Sequence, residues 1–202
     1  AAAERKLAAE LNVAVGTLRK ALTELEARGL LERRHGSGNY VRAIADPASV
    51  YTMFRLELIE GGGLPTARAL SVDLLEKPDS LPDFGASAKA HRIRRRRYVG
   101  KQFAALEEIW LDATYADTIT MTDLSESLYL HYRTRLGLWI TRAEDRIGLG
   151  HVPDWTPDVF GLAPGAPVPE VQRVSFDREG EKAEFSYTWF DPAVVRYVAR
   201  LK

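Results

Sequence analysis

Along the first forty residues the apolar positions follow a helical period. In the run Glu4 to Leu11, Leu7, Ala8 and Leu11 stand at spacings 0, 1 and 4, which places them on one face of a short helix. Asn12-Val13-Ala14 interrupts that period. From Val15 to Arg28, Leu18, Ala21, Leu22 and Leu25 recur at the helical repeat, leaving Thr17, Arg19, Lys20, Thr23 and Glu24 for the other faces. Gly29 is a natural C-terminal stop. Leu30-Leu31-Glu32-Arg33-Arg34 and Asn39-Tyr40-Val41 then flank His35-Gly36-Ser37-Gly38, a glycine-rich tip suited to a hairpin. The order is that of a winged helix-turn-helix. Such a domain normally has another helix before the one at Glu4, so the pattern reads as partial, with its first helix missing from this sequence.

Beyond the hairpin the period changes from the helical repeat to two. Residues 42–50 contain Asp46-Pro47 and carry no sustained apolar period, so they read as a linker. Strands are expected at 51–58, 64–74, 91–99, 103–111, 138–152, 170–177 and 183–190, separated by Gly, Pro and Asp. A helix is expected over 125–135, ended by Gly137, with Leu128, Tyr132 and Leu136 on one side, and shorter helical pieces near 154–161. A mainly antiparallel sheet with few helices makes 51–202 an α+β domain, and the organisation is 1–41, linker 42–50, and 51–202.

Charge sharpens this division. The chain carries 28 Lys/Arg and 28 Asp/Glu, yet residues 1–45 hold eight basic against five acidic side chains, leaving 20 against 23 for the rest. The basic excess sits on the helix-turn-helix, as expected of a surface meeting phosphates. Zero cysteines exclude disulfides and thiolate metal sites and fit a cytoplasmic protein. No apolar run approaches the ~20 residues needed to span a bilayer, and the N-terminus has no signal-like character. His35, His91, His131 and His151 have no ligand-like spacing and read as surface or loop residues, so neither a metal nor a cofactor is expected. Trp110, Trp139, Trp155 and Trp189 read as core or interface residues.

The motifs Glu4-Arg5-x-Leu7-Ala8, Thr17-Leu18-Arg19-x-Ala21-Leu22-x-x-Leu25, Gly29-Leu30 and Gly36-Ser37-Gly38-x-Tyr40-Val41 resemble the N-terminal domain of GntR-family bacterial transcription repressors. That resemblance implies double-stranded operator DNA as partner and Arg5, Gly16, Thr17, Arg19, Arg34, His35 and Gly36 as the contacting residues. Recognition-helix residues reach base edges in the major groove while the wing holds the backbone. One departure is Ala14-Val15-Gly16, where family members often place an arginine and small hydroxyl residues. Val15 cannot donate a bidentate hydrogen bond to guanine and is instead suited to a thymine methyl.

In Ile93-Arg94-Arg95-Arg96-Arg97-Tyr98, strand alternation sends Arg95 and Arg97 to one face and Arg94 and Arg96 to the other. Two guanidinium forks side by side match phosphate or carboxylate geometry. Glu107 shares a strand face with Phe103, Ala105, Ile109 and Leu111, where a carboxylate needs an arginine or a ligand hydroxyl as partner. Ser127 falls in the first turn of the expected helix, whose free N–H groups favour an anion, and Tyr129 adds a hydroxyl.

Gly63-Leu64-Pro65-Thr66, Arg95-x-Arg97 with Gly100, Leu106-Glu107-x-x-Trp110-Leu111, Ser127-Leu128-Tyr129, and Val174-Ser175-x-Asp177 leading to Glu184-x-Ser186 resemble the UTRA effector domain of the HutC branch of GntR regulators, which has a chorismate-lyase-like fold. The resemblance implies that Arg95, Arg97, Ser127 and Tyr129 hold the anionic group of a small effector such as a phosphorylated sugar or phosphonate. It further implies that Glu107 and Glu184 bind the polar remainder, and that Thr66 lies in a loop closing over the anion. Phe190 lacks the hydroxyl that some sugar-binding relatives carry there, which argues against a hexosamine phosphate. The leading expectation is a homodimeric repressor released from a palindromic operator by the effector, with no membrane association. The alternatives are an enzyme of chorismate-lyase-like fold and a constitutive DNA-binding dimer without effector.

Overall fold

The computed structural model describes residues 2–27, 31–34, 38–41, 53–124 and 127–200. The chain divides into two compact units, 1–48 and 49–202. The 42–50 linker expectation and the wing tip His35-Gly36 lie outside the described residues.

In the first unit α1 (Ala2–Glu10) and α2 (Val15–Ala27) are joined by a turn in which Asn12 takes φ 52°, a left-handed conformation that asparagine tolerates better than most residues. Strands β1 (Leu31–Arg34) and β2 (Gly38–Val41) pair antiparallel, Leu31 opposite Val41 and Arg34 opposite Gly38. The helix contact is narrower than the apolar periodicity suggests. Ala8, Leu18 and Leu22 are buried with Val15 packed against them, while Leu7, Leu11 and Ala21 are exposed. Among the described side chains, the two helices bury the residues at their crossing.

The second unit is built on a six-stranded antiparallel sheet of order β4-β5-β6-β9-β8-β7. These strands are β4 (Pro65–Glu76), β5 (Lys89–Val99), β6 (Gln102–Asp112), β7 (Arg142–His151), β8 (Pro167–Phe176) and β9 (Lys182–Phe190). A small pair, β3 (Leu56–Leu58) with β10 (Val195–Tyr197), completes the unit; β10 was not foreseen and β3 is shorter than expected. After β6 the chain leaves the sheet, crosses one of its faces and re-enters at the far edge as β7. That crossover contains a short 3₁₀ turn (Ala113–Tyr115), one α-helical turn α3 (Leu128–His131) and a π-type turn (Tyr132–Leu136) ended by Gly137 at φ 68°. The helix expected over 125–135 is thus shorter, because Ser127 caps it and the wider turn takes over after His131.

Three apolar layers fix where space remains. Under the crossover, Ile93, Ile109 and Leu111 pack on Leu128, Tyr132 and Leu138. At the other end of the same face, Leu56 and Val195 pack on Val99, Ala105, Val171 and Phe190. The opposite face is covered by Val152, Phe160 and Val168 against Leu106 and Trp189, and by Phe84 against Trp110 and Phe185. Covering on both sides makes β6 read as a near-continuous apolar run, as expected of a central strand.

The face shared by Glu107 needs one correction. Register shifts between Arg97 and Tyr98, which pair with Ala105 and Phe103, so Ala104 is the extra residue of a bulge. The bulge turns Phe103 to the opposite face, where it joins the Leu106–Trp189 layer, while Ala105, Glu107, Ile109 and Leu111 remain together. His91 and His131 are buried rather than surface residues; the His91 ring Nε2 meets the Ala116 carbonyl oxygen at 2.7 Å.

Candidate functional site

Between the two apolar ends of the crossover face lies a cavity of about 70 Å³, room for roughly five waters. Its floor comes from the four central strands, and strand register explains which side chains reach it. Arg95, Glu107, Thr188 and Val171 form one row across β5, β6, β9 and β8; Ile109, Ser186 and Arg173 belong to the next. Leu111, Glu184 and Ser175 form the row beneath α3. Ser127 and Tyr129 close one end, and the segment Met53 to Leu56 with Tyr197 closes the other.

Arg95 and Arg97 share one carboxylate. Glu107 Oε2 accepts a short hydrogen bond from Arg95 Nε, and Glu107 Oε1 lies 3.4 Å from Arg97 Nε. All three side chains are buried. Burial pushes the Glu107 carboxyl up, but Arg95 and Arg97 outweigh it and hold the group below the ordinary carboxylate range. Arg95 Nη1 is buried with no hydrogen-bond partner among the described residues. The Arg97 guanidinium stacks 4.3 Å from the centre of the Phe54 ring.

Glu184 has a different environment. Its Oε2 accepts from Tyr132 OH at 2.7 Å, and its Oε1 accepts from Ser175 Oγ at 2.9 Å and Tyr129 OH at 3.3 Å. Burial raises this carboxyl, and the hydroxyl bonds and the more distant Arg95 and Arg173 reverse only part of the rise. On the far side, Arg173 donates two parallel bonds to Asp145, Nε to Oδ1 at 2.6 Å and Nη2 to Oδ2 at 2.7 Å, and Tyr197 OH donates to Oδ2 at 2.6 Å. Burial disfavours the Arg173 charge, but Asp145 and Tyr129 keep its pKa above the ordinary arginine value.

The cavity therefore brings Arg95, Arg97, Glu107, Ser127, Tyr129 and Glu184 together. It does not include Thr66, which lies within β4 opposite Tyr98 and so is not in a closing loop. Ser127 is the residue before α3, with its hydroxyl accepting from Leu130 N at 3.4 Å. A single α-helical turn has little dipole, so the helix-terminus argument for an anion there loses its basis. Phe190 is core, not cavity. Arg55, Phe54, Arg173, Ser175, Tyr132, Asp145 and Tyr197 went unrecognised. Counting by two from Ser175 would have placed Arg173 on its face; Asp145 and Tyr197 carry no comparable signal.

In the first unit Arg5, Gly16, Thr17 and Arg19 are exposed on α1 and α2. Arg19 Nε lies 3.0 Å from Glu4 Oε2, an exposed pair that a DNA contact would have to displace. Arg34 ends β1, and no side-chain placement is described for it. Val15 is half-buried, packed against Ala8, Leu18 and Leu22 at the start of α2.

Comparison with known proteins joins the two units. Residues 61–196 match the UTRA domain family, and residues 3–41 match the bacterial regulatory proteins of the gntR family. The chain belongs to the GntR family of transcriptional regulators. This GntR regulator is 62% identical over 201 residues to the HTH-type transcriptional regulator SmoD of Agrobacterium fabrum, a match covering 100% of this chain and 86% of that protein. It is 24% identical over 206 residues to the HTH-type transcriptional repressor NagR of Bacillus subtilis, covering 98% and 85%. Its fold is shared with the ligand-binding domain of a GntR-family regulator from Bordetella bronchiseptica, at TM-score 0.63 and 20% identity over 73% of this chain and 96% of that one. The GntR regulator is a DNA-binding transcription regulator with an effector domain, and its relatives are named as regulators rather than enzymes. No helix among the described residues is long and apolar enough to cross a membrane.

Proposed function

We propose that this protein is a homodimeric repressor that binds a palindromic operator and is released by a small anionic metabolite held in the Arg95–Arg97 cavity. The observation that carries the effector reading is the buried Arg95 Nη1, a charged donor without a partner beside a second arginine and a single shared carboxylate. A buried donor left without an acceptor is costly, and a phosphate, phosphonate or carboxylate oxygen offers the missing acceptor. Repression is supported by the likeness to NagR, a transcriptional repressor, and dimerisation by the half-site logic of helix-turn-helix proteins.

Release follows from connectivity, with the bound ligand shifting one wall of the cavity. One wall is the Met53 to Leu56 segment, which directly follows residues 42–52 from the DNA-binding unit in sequence. A ligand that needs this wall displaced distinguishes two states, the requirement for any induced response.

The test is a thermal-shift screen of the full chain against phosphorylated sugars, phosphonates, inorganic phosphate and carboxylates, repeated on Arg97→Ala. Stabilisation by one class in the parent and not in the variant supports the reading. No stabilisation by any of them sinks it and leaves a constitutive DNA-binding dimer.

A further inference from the structure

The anion site accounts for only the β5 end of the cavity. The β8 end, across the sheet, repeats the same charge pattern on different strands. There, two arginines, Arg173 from β8 and Arg55 from the wall segment, line the cavity, and one carboxylate, Asp145, backs Arg173 from outside the lining. Arg173 engages Asp145 through Nε and Nη2. Arg55 is half-buried, its side chain makes no hydrogen bond or ion pair among the described residues, and it is close enough to bias the charge of both Asp145 and Tyr197. Each end thus has two guanidinium groups to one acid. Between them the floor is uncharged and hydroxyl-bearing, formed by Ser186 and Thr188, with Glu184 turned to Tyr129, Tyr132 and Ser175 rather than to an arginine.

We infer that the effector is two-headed, with one acidic group on Arg95 and Arg97, a second on Arg55 and Arg173, and a hydroxyl-bearing spacer over Ser186, Thr188 and Glu184. This rests on the anion-site reading above and adds Arg55 and Arg173 as specificity-determining residues. β5 and β8 are three strand spacings apart, about 14 Å between backbones. Arginines leaning in from both sides shorten that gap to a spacer of several atoms. A phosphate joined through a polyhydroxyl chain to a carboxylate has this form. Burial favours the neutral form of the Glu184 carboxyl, which suits it to bonding spacer hydroxyls.

The experiment uses the full chain and a matched pair of probes, 6-phosphogluconate and glucitol 6-phosphate, open chains that differ only in a carboxylate against a hydroxymethyl group at the first carbon. Binding is read by calorimetry on the parent, on Arg55→Met and on Arg97→Ala. We expect 6-phosphogluconate to bind about tenfold or more tightly than glucitol 6-phosphate, the scale of one charge-assisted hydrogen bond. In Arg55→Met that advantage should disappear while glucitol 6-phosphate affinity stays the same. Equal affinities in the parent, or an advantage that survives Arg55→Met, overturn the two-headed assignment and leave the anion site standing if Arg97→Ala still abolishes both. Binding of neither probe overturns the two-headed assignment, and the thermal-shift screen above then decides the anion site separately.

Discussion

Two buried glutamates facing one cavity have opposite acid–base character, and each makes its own prediction. Glu107 is held below the ordinary carboxylate range. Its contribution to stability is therefore full above about pH 4.3, the unfolded value, and is lost as pH falls through its folded-state value. Glu107→Gln removes the carboxylate that two buried arginines share and should cost about 3–5 kcal/mol at neutral pH. Urea unfolding of the variant should show the gap from the parent shrinking as the pH is lowered. Glu184 is raised, so the sign reverses: its contribution is full below about pH 4.3 and is lost as pH rises through its higher folded value. Glu184→Gln should then gain on the parent with rising pH, and a gap that stays constant would mean that Glu184 does not titrate in that range. Sequence made the Arg95–Arg97–Glu107 group legible, because alternation in two adjacent strands needs only counting. Arg173 and Asp145 were not legible, since their meeting depends on β7 lying beside β8, a long-range pairing that local pattern does not encode.

Among the elements, β4, β5, β6, β8 and β9 lie close to their expected spans. The failures have local physical causes. The bulge at Ala104 inverts the expected side of Phe103, β10 is only three residues long, and the π-type turn replaces the second half of the expected helix. The one-turn α3 depends on its cap more than a long helix would. Ser127→Ala should lower stability by about 1 kcal/mol and loosen Tyr129, a wall of the cavity; hydrogen exchange at Leu130 N would report it. In the first unit, the exposed Arg19 on α2 should lose about 1–3 kcal/mol of operator affinity on change to Ala if it reads a base. Its pair with Glu4 is exposed, and such pairs are worth at most about 1 kcal/mol. Glu4→Ala should therefore leave operator affinity equal or higher by fluorescence anisotropy.

For the whole molecule the expected signature is separation of two functions. Arg97→Ala should keep operator affinity within about twofold of the parent, since the unit that matches the gntR family does not contain it, and should lose release by effector. A variant that fails to bind operator because it unfolds would instead assign Arg97 a purely structural role, and a melting curve distinguishes the two outcomes. Phe54 offers a finer probe of the coupling. It stacks on Arg97 from the wall segment, so Phe54→Leu should preserve folding while changing the effector concentration needed for half-release.

The run Arg94-Arg95-Arg96-Arg97 serves both faces of β5 at once. Arg95 and Arg97 enter the cavity, whereas Arg94 pairs with Glu108 at 2.7 Å and lies 5.0 Å from the Trp155 ring centre, and Arg96 lies over Phe103. Because neighbouring codons specify the same side chain, losing one of the four would shift every later residue of the strand by one while still placing arginine at positions 94–96. The mutation would be nearly silent in composition there, yet would bring Tyr98 into the position of Arg97 on the cavity face. The cavity face is thus exposed to single-codon deletion even though the run keeps its composition, so natural variation in this strand should be poor in length changes.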